Sequence, residues 1–379
     1  MRPAQRASAG FASCLPAYAA EVATTPRGFG VLQIEPTDHC NLACRMCAPH
    51  AESWPTVHGV PKGYMQLGMF RNIVDRLVAE DCTFDHLILQ WLGDPSLHPE
   101  LEHMLAYAAE KLAGRIGYLR FDTNAVVLTP PRVDAIISVG RFGVPLLVVF
   151  TIDAASEATY LRVKGRDALG RVRRHVRHLL ARRSPAGRVN VQVQFVVQPG
   201  NAHEAAAFLA YWRRQFECYG SAGGHSEIMF KRLSVSGGAA GQARADAQYE
   251  KTLREAEITP YESDVFSVTT WSDRPWQADD AHADRTACPG LWYTPVVRQD
   301  GELLMCCADL HSELHLGNVA EAGFRALWWG EKAASVRLDH LSGKFSGVCA
   351  ACGGVNWYAL PDNAGVEARE HARQLGLSA

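Results

Sequence analysis

The sequence reads Cys40-Asn41-Leu42-Ala43-Cys44-Arg45-Met46-Cys47 just after a strand-like apolar run, Val31-Leu32-Gln33-Ile34. The three cysteines follow the spacing C-x3-C-x2-C. A [4Fe–4S] cluster is closed when four protein ligands each hold one iron, so three thiolates on one tight loop leave one iron open. An open iron can bind a small molecule through amino and carboxylate groups. The segment therefore predicts an iron–sulfur site with room for a small ligand.

Two other interpretations of these cysteines are a zinc site and a chance grouping. Zinc sites usually pair C-x2-C elements whose second half lies a dozen or more residues away, and they prefer closed sets of four ligands. The closely spaced cysteines of residues 40–47 do not follow that pattern. The iron–sulfur interpretation is therefore favoured.

The segment resembles the cluster-binding loop of radical S-adenosylmethionine (SAM) enzymes, which also carry an apolar residue, here Met46, just before the third cysteine. The resemblance implies that Cys40, Cys44 and Cys47 hold a [4Fe–4S] cluster, that SAM binds its open iron, and that Met46 packs near the adenine. It further implies that reductive cleavage of SAM gives a 5′-deoxyadenosyl radical, which starts the chemistry.

The composition bounds the size of the protein and its class of partner. The chain has 379 residues, of which 47% are hydrophobic, and 38 Lys and Arg against 40 Asp and Glu give a net charge of −2. This length suits a domain of roughly 200–250 residues with an appendage. The balanced charge gives no reason to expect a nucleic acid or an anionic membrane as partner.

The sequence also predicts the compartment. No apolar run reaches the ~18 residues of a membrane span, and the first 25 residues lack the continuous apolar stretch of a secretory signal. The eleven cysteines include clustered C-x3-C-x2-C and C-x2-C spacings, which fit reduced metal ligands better than a disulfide framework. We therefore expect a cytoplasmic protein.

Short apolar runs alternate with helical patterns from about residue 30 to residue 236. The predicted strands are Val31–Glu35, His86–Leu92, Tyr118–Asp122, Leu146–Ile152, Val189–Val197 and Glu227–Leu233. Strands that alternate with helices favour an α/β fold with a parallel sheet and right-handed crossovers. Six such units are consistent with the partial (β/α)6 TIM-like barrel of the radical SAM family, in which cofactors bind at the carboxyl ends of the strands.

These patterns divide the chain into five parts. They are an N-terminal extension (1–29), a core barrel (30–236), a linker or insert with one short helix near Ala243–Ala256 (237–285), a small cysteine-rich domain (286–360) and a polar, helical tail (361–379).

The second predicted strand ends in Gly93-Asp94-Pro95, where relatives commonly carry G-E-P. The resemblance implies that this turn holds the amino group of SAM through its backbone and its carboxylate, with Asp94 as a shorter acid in place of Glu. The alternative is an ordinary turn, because Gly-Asp-Pro is natural in turns.

The next two strands end in similar elements. Thr123-Asn124-Ala125 takes the place of the family's T-N-G, and Thr151-Ile152-Asp153 is similar to an S-x-D element near the ribose and carboxylate of SAM. Hydroxyl and carboxylate groups suit ribose hydroxyls because both accept their hydrogen bonds. Thr151 could instead cap a helix. Arg162 and Lys164 both match a stretch where relatives carry a cation for the SAM carboxylate.

Polar residues also mark the last two predicted strands. Gln192, Gln194 and Gln198 share one face by period-two alternation, and in a barrel that face could be the interior. Lys231 falls near the end of the sixth strand, where substrate-facing residues are common, with surface exposure as the equal alternative.

The C-terminal part holds a second group of cysteines, which resembles the SPASM/twitch auxiliary-cluster domain of radical SAM enzymes. Supporting details are Cys288-Pro289, a hairpin turn at Asp300-Gly301 and the C-x2-C of Cys349 and Cys352. No cysteine follows Cys352, so the resemblance implies one auxiliary [4Fe–4S] cluster, as in the shorter twitch form. Its ligands would be Cys288, Cys306, Cys349 and Cys352, a set that could also bind zinc tetrahedrally.

Cys307 is left over beside a predicted ligand. Cysteines outside metal sites are most often small buried residues, but a thiol near the active site can return a hydrogen atom to a substrate radical. Cys82 and Cys218 precede strands and are expected at the opposite end of the barrel. Cys307 is therefore the candidate hydrogen donor.

The leading hypothesis is a radical SAM enzyme that oxidises or epimerises a small polar metabolite, a sugar or an aminocyclitol. The single auxiliary cluster is similar to that of aminoglycoside-tailoring dehydrogenases and epimerases of the family. Such an enzyme implies an external electron donor of the flavodoxin or ferredoxin type. One alternative is a peptide-modifying SPASM maturase, although only about 30 residues precede the first strand, fewer than a leader-binding domain with its own core needs. The other is a non-catalytic iron–sulfur scaffold or electron carrier.

Overall fold

The computed structural model describes residues 28–47, 56–57, 60–184, 188–220, 223–234, 238–270, 287–352, 354 and 364–376. The predicted N-terminal extension up to residue 27, and the part of the predicted linker from residue 271 to its end at 285, lie outside the described residues.

The strands of the described residues follow the predicted order. They are β1 (Val31–Ile34), β2 (Thr56–Val57), β3 (Val60–Pro61), β4 (Phe84–Ile88), β5 (Ile116–Thr123), β6 (Leu146–Thr151), β7 (Val189–Val197), β8 (Ser226–Arg232), β9 (Tyr261–Glu262), β10 (Phe266–Thr270), β11 (Val296–Val297), β12 (Glu302–Leu304) and β13 (His315–Asn318). All six predicted barrel strands are present, as β1 and β4 to β8. The largest shift is in β4, which ends at Ile88 rather than Leu92, because the N–H groups of Leu92 and Gly93 turn to the carboxylate of Glu35.

Helices separate these strands. They are α1 (Leu67–Ala79), α2 (Leu101–Lys111), α3 (Pro130–Ile137), α4 (Glu157–Lys164), α5 (Leu169–Arg182), α6 (Ala205–Tyr219), α7 (Gly238–Glu255), α8 (Gly290–Tyr293), α9 (Val319–Ala322), α10 (Phe324–Trp328), α11 (Glu331–Leu341), α12 (Val348–Ala351) and α13 (Ala364–Gln374). Helix α13 lies within the predicted tail of residues 361–379. Among the described residues, no helix is both long enough and apolar enough to span a membrane.

The sheet runs in the order β13-β12-β11-β1-β4-β5-β6-β7-β8-β10-β9. From β11 through β1, β4, β5, β6, β7 and β8 to β10, every neighbouring pair is parallel. This order is that of the predicted parallel α/β barrel. Because parallel strands end at one edge, the loops after β1, β4, β5 and β6 gather at the same end of the sheet.

The segment interpreted as a linker carries more regular structure than predicted. Its helix α7 is longer than Ala243–Ala256, and β10 pairs with β8 as a further parallel strand. At the other edge, β11 of the cysteine-rich domain pairs in parallel with β1, with Gln33 opposite Val296. The predicted hairpin at Asp300-Gly301 is present between β11 and β12. The sheet therefore continues beyond the six predicted strands on both sides.

The core lies between the sheet and the helices that cover its outer face. One continuous cluster of buried apolar residues includes Phe121 and Val148 of the barrel strands as well as Leu303 and Trp328 of the cysteine-rich domain. Phe324 packs edge-on against Phe29, with ring centroids 5.0 Å apart. The cysteine-rich domain is thus packed onto the barrel core.

Candidate functional site

The loop with the first three cysteines is held against the C-terminal end of α4. The N–H groups of Ala43 and Arg45 donate to the carbonyls of Lys164 and Val163, at 3.1 and 3.2 Å. These belong to the last turn of the helix, whose carbonyls have no intrahelical partner. Gly165 follows with φ of +76°, and a Cβ there would lie 2.9 Å from the carbonyl oxygen of Ala43. Glycine permits both this backbone and this approach.

The thiols on this loop fit metal ligands. Cys40, Cys44 and Cys47 are partly buried, and Met46 lies in the turn before Cys47. Burial, followed by the charge of Asp94, raises the pKa of the Cys40 thiol to about 12, and burial also raises the pKa of Cys44. A coordinated metal removes the proton from such a thiol. The donor set therefore fits iron, which would stabilise the thiolates that burial opposes.

The described residues show no group of three His, Cys, Asp or Glu side chains that converges on a single metal ion. A cube that takes one thiolate on each of its irons does not require such convergence. The separation of the cysteines is thus compatible with a cluster.

The turn after β5 borders the cluster loop. Asn124 Nδ2 donates to Oδ1 of Asn41 at 2.7 Å and lies 3.9 Å from Sγ of Cys40. Thr123 Oγ1 donates to Asp94 and accepts from the N–H of Ala125. Ala125 has φ of +62°, a conformation that favours glycine. The structure thus brings Asn124 to the cysteines, while the hydroxyl of Thr123 is used within the loops.

Asp94 connects the loop after β4 to the end of β5 through hydrogen bonds. Its Oδ1 accepts from the N–H and hydroxyl of Ser96 (2.9 and 2.6 Å) and from Oγ1 of Thr123 (2.9 Å), and its Oδ2 accepts from the N–H of Asn124 (2.7 Å). Three of these donors meet Oδ1 and one meets Oδ2, so most of the roughly four acceptor sites of the carboxylate are used within the loops. Gly93 lies so close to the preceding loop that a Cβ would stand 2.1 Å from the carbonyl oxygen of Thr37. Pro95 is buried beside them.

Glu35 is a site residue that the sequence analysis missed. It follows β1, is buried, and its Oε1 accepts from the N–H groups of Leu92 (2.8 Å) and Gly93 (3.4 Å). Burial, opposed by these hydrogen bonds, raises the pKa of Glu35 to about 7. Glu35 therefore positions the turn at Gly93. Its position just past an apolar strand, in Glu35-Pro36-Thr37, was the available signal.

A buried ion pair lies next to the cluster loop. Lys164 Nζ is 2.5 Å from Oδ2 of Asp153, and both side chains are almost fully buried. Burial lowers the pKa of Lys164, but the charge of Asp153, the charge of Cys44 and the hydrogen bond to Asp153 together outweigh it, and the net shift is upward. Arg162 instead lies on the outside and donates to the carbonyl of Gly200. Of the two predicted cations, Lys164 is the buried one beside the cysteines.

Thr151 is the last residue of β6, opposite Gln194 of β7. The alternative that it caps a helix is wrong, because Ser156 caps α4 by accepting from the N–H of Thr159 at 3.2 Å.

The face of the sheet that carries Thr151 also carries a network of polar side chains on β7, β8 and β10. Gln192 Nε2 donates to Glu227 at 2.6 Å, Gln194 donates to Gln192, and Thr269 donates to Glu227. Gln192, Gln194 and Glu227 are all buried. The predicted shared face of the glutamines is therefore a buried polar face.

Two further polar positions lie past this network. Lys231 is half-buried, two residues beyond Met229 on β8. Gln198 is buried just past the end of β7, and its N–H donates to Asn201.

Several contacts bring the second cysteine group together. Val348, just before Cys349, donates its N–H to Glu313 at 2.7 Å, and Glu313 lies in the loop that begins at Cys306. A Cβ on Gly354, two residues after Cys352, would lie 3.7 Å from Sγ of Cys288.

Two other sulfurs of this cysteine group, those of Cys306 and Cys352, lie close to backbone N–H groups. The N–H of Ala308 approaches Sγ of Cys306 and the N–H of Gly354 approaches Sγ of Cys352, each at 3.4 Å. Such N–H groups stabilise thiolates, so the set fits an auxiliary metal centre.

Cys307 lies where the cysteine-rich domain meets the loop after β4. Its carbonyl oxygen accepts from Nε1 of Trp91 at 3.0 Å, two residues before Gly93. Cys82 is buried before β4, and Cys218 is exposed on α6. The structure thus packs Cys307 against Trp91, in the segment that leads from β4 to the turn at Gly93.

The chain matches two known protein families. The model of the radical SAM superfamily matches residues 34–208, and that of SPASM, an iron–sulfur cluster-binding domain, matches residues 288–353. A GTP 3′,8-cyclase of Synechococcus sp. (strain CC9902) is 29% identical over 140 residues, which are 37% of this chain and 36% of the relative. The match thus spans about a third of that protein's length.

Solved structures share the fold. Native anSMEcpe with bound AdoMet aligns with a TM-score of 0.53 and 15% identity, over 92% of this chain and 96% of that chain. Streptococcus suis SuiB bound to precursor peptide SuiA also aligns with a TM-score of 0.53, at 11% identity, over 89% of this chain and 73% of that chain. The two family matches support SAM and [4Fe–4S] clusters as cofactors. With its cysteine loop at the end of β1 of a partial parallel barrel, the chain belongs to the radical SAM superfamily and carries a C-terminal SPASM domain.

Proposed function

We propose that this enzyme abstracts a hydrogen atom from a small polar metabolite, a sugar or an aminocyclitol, and converts it by oxidation or epimerisation. The observation that carries the proposal is the polar network of Gln192, Gln194, Glu227 and Thr269 on the buried face of the sheet. Amide and carboxylate groups there can exchange hydrogen bonds with the hydroxyl and amino groups of such a substrate.

The residues at the carboxyl ends of the strands would hold the cofactor. Cys40, Cys44 and Cys47 would ligate the cluster, and Met46 would pack against the adenine. When bound, SAM supplies a 5′-deoxyadenosyl radical that can take hydrogen from an unactivated C–H bond. Thr151 and Asn124 would face SAM. Lys164 would neutralise its carboxylate, with Asp153 holding the ammonium of Lys164 in place.

The turn at Gly93 would bind the SAM ammonium in a modified way. The carboxylate of Asp94 already accepts four hydrogen bonds from protein donors. We therefore assign the ammonium to the backbone carbonyls of Gly93-Asp94-Pro95, and assign the Asp94 carboxylate to the joining of the β4 and β5 loops.

The SPASM domain would determine the outcome after hydrogen abstraction. Cys288, Cys306, Cys349 and Cys352 would hold an auxiliary cluster, and an oxidation requires an acceptor for one electron once the substrate has lost its proton. In an epimerisation, a thiol would return a hydrogen atom instead, and we assign this role to Cys307; in support, its carbonyl oxygen accepts a hydrogen bond from Trp91.

Deuterium transfer tests the proposal. Anaerobically reconstituted enzyme is incubated with SAM, a reductant and sugars or aminocyclitols that carry deuterium on carbon. Deuterium in the 5′-deoxyadenosine supports a metabolite substrate. Transfer only from peptides would support a maturase, and absence of SAM binding to the reconstituted protein would support a scaffold.

Iron content tests the two clusters separately. The variant with Cys40, Cys44 and Cys47 replaced by alanine should retain about four irons after reconstitution, held by the SPASM cysteines. Near-zero iron with bound zinc would contradict the auxiliary cluster and with it the oxidation route.

A further inference from the structure

Positive charge is concentrated beside the cluster loop. Residues 157–183 contain nine Lys and Arg but only two carboxylates, whereas the whole chain has 38 basic and 40 acidic residues. Helix α5 contributes much of this excess, and its apolar side, with Val172, Val176 and Leu179, is buried in the core. Arg171 and Arg174 of this helix are exposed and are not part of that packing.

Four of the exposed arginines form what we call the basic patch: Arg45, Arg166, Arg171 and Arg174. Arg45 belongs to the cysteine loop itself, and its N–H is bonded to α4. Arg166 directly follows Gly165, which touches Ala43 of that loop. Arg171 and Arg174 are three residues apart on α5 and so share a face. The patch thus extends from the cysteine loop onto the first turns of α5.

Few carboxylates offset the charge of the patch, although Glu157 and Arg174 both lie within 4 Å of a Cβ placed on Gly170. Within the described residues, none of the four arginines forms an ion pair with a carboxylate. Glu157 and Asp167 are exposed nearby but do not pair with them. Clustered like charges repel one another, so they do not stabilise the fold. A surface of one sign does accelerate encounter with a partner of the opposite sign.

We propose that the basic patch is the docking surface for a small acidic electron-carrier protein that reduces the Cys40/Cys44/Cys47 cluster. This inference rests on the proposed function, because each SAM cleavage consumes one electron. The redox centre of the carrier would lose one electron and the cluster would gain it. No bond forms or breaks. The surface lies where the cysteine loop reaches solvent, so a carrier bound there brings its redox centre close to the cluster.

Reduction kinetics test this docking surface. The probe is an acidic flavodoxin in its reduced form, mixed with the reconstituted enzyme in a stopped-flow spectrometer at low and high salt. The test variant is Arg166→Glu/Arg171→Glu/Arg174→Glu. The matched control is Arg214→Glu/Arg244→Glu/Arg254→Glu, three exposed arginines of α6 and α7. Both variants change the net charge equally, so only the location of the change differs.

The patch variant should be reduced at least about tenfold more slowly at low salt and should lose most of the salt dependence of the wild type. Its calorimetric affinity for oxidised flavodoxin should fall in parallel, while the control variant keeps wild-type values. Reduced methyl viologen, a cation, should reduce the patch variant at least as fast as the wild type, which shows that the cluster is intact.

Two results would overturn the assignment. One is equal reduction of the patch variant and the wild type by flavodoxin. The other is salt-dependent binding of RNA that the patch variant alone loses, with carrier kinetics unchanged. Failure of the proposed function would be recognised separately, since no deuterium from labelled sugars or aminocyclitols would then enter 5′-deoxyadenosine, even with methyl viologen as reductant.

Discussion

At the residue scale, Asp94 offers a test of whether a carboxylate binds cofactor or holds a loop. In Asp94→Ala, the N–H groups of Ser96 and Asn124 lose a buried acceptor. Each unsatisfied buried donor costs about 1–3 kcal/mol, so we expect the apo-protein to lose roughly 3 kcal/mol in urea unfolding. Ser96→Ala, which removes a single side-chain donor, should cost about 1 kcal/mol. Unchanged apo stability together with lost SAM affinity would show that the carboxylate serves SAM directly.

The raised pKa of Glu35 predicts that the free energy of unfolding depends on pH. Its pKa is about 7 in the folded chain, against an ordinary value of 4.5. The folded state therefore binds more protons between these values. The stabilisation by the protonated carboxyl is complete below the ordinary value and is lost as the pH rises through 7.

Glu35→Gln keeps the acceptor but removes the titration. Compared with the wild type, it should gain on the order of 2–3 kcal/mol at about pH 8 and nothing at about pH 4. Urea unfolding of both apo-proteins across this range measures the difference. A constant difference would mean that Glu35 does not titrate on unfolding.

Single residues also show where sequence reasoning reaches its limit. The spacing of Cys40, Cys44 and Cys47 was sufficient to predict the family, because that spacing carries the chemistry. The bonding of Asp94 across the loops was not predictable, since two of its four donors, the hydroxyl of Thr123 and the N–H of Asn124, meet it only when β4 and β5 pair. The choice of Lys164 over Arg162 likewise depended on burial, which spacing does not report.

At the scale of elements, the junction between α4 and the cysteine loop is tested at Gly165. Gly165→Ala adds a Cβ 2.9 Å from the carbonyl of Ala43, at φ of +76°. Gly143 is the control position, because it has a similar φ of +78° but nothing lies within 4 Å of an added Cβ. An alanine there therefore reports the backbone strain alone. Gly143→Ala should cost about 1 kcal/mol and leave the iron content unchanged. Gly165→Ala should cost more and lower the iron bound after reconstitution. If the two variants had equal effects on stability and iron content, the contact between Gly165 and the cysteine loop would not matter for cluster binding.

The strands differ in how well the sequence predicts them. The six barrel strands were recognisable because each is an apolar run bounded by turn residues. By contrast, β10 follows a long polar segment, and β11 is only two residues long. Both are strands because a neighbour, β8 or β1, supplies their hydrogen bonds. Such strands depend on tertiary pairing rather than on local pattern.

At the scale of the whole molecule, the barrel and the SPASM domain share one sheet and one core. Beyond the pairing of β11 with β1, Arg325 of α10 donates to the carbonyls of Glu80 and Asp81 after α1. Phe324 packs against Phe29 and Phe84. The barrel and the SPASM domain bury apolar side chains against each other. Removal of either part would therefore expose the core of the other to solvent.

This shared core predicts that the apo-protein unfolds as one unit. Arg337, buried in the SPASM domain, donates to the carbonyls of Leu291 and Trp328. Arg337→Lys replaces the planar fork, whose three nitrogens reach the two carbonyls, with a single ammonium group, so it should cost about 2–4 kcal/mol. If the two parts are coupled, far-UV ellipticity, dominated by the barrel, and tryptophan fluorescence should show coincident urea transitions that shift together in this variant. A fluorescence transition that moves alone would mean that the SPASM domain unfolds independently, and the continuous sheet would then not couple the two sites.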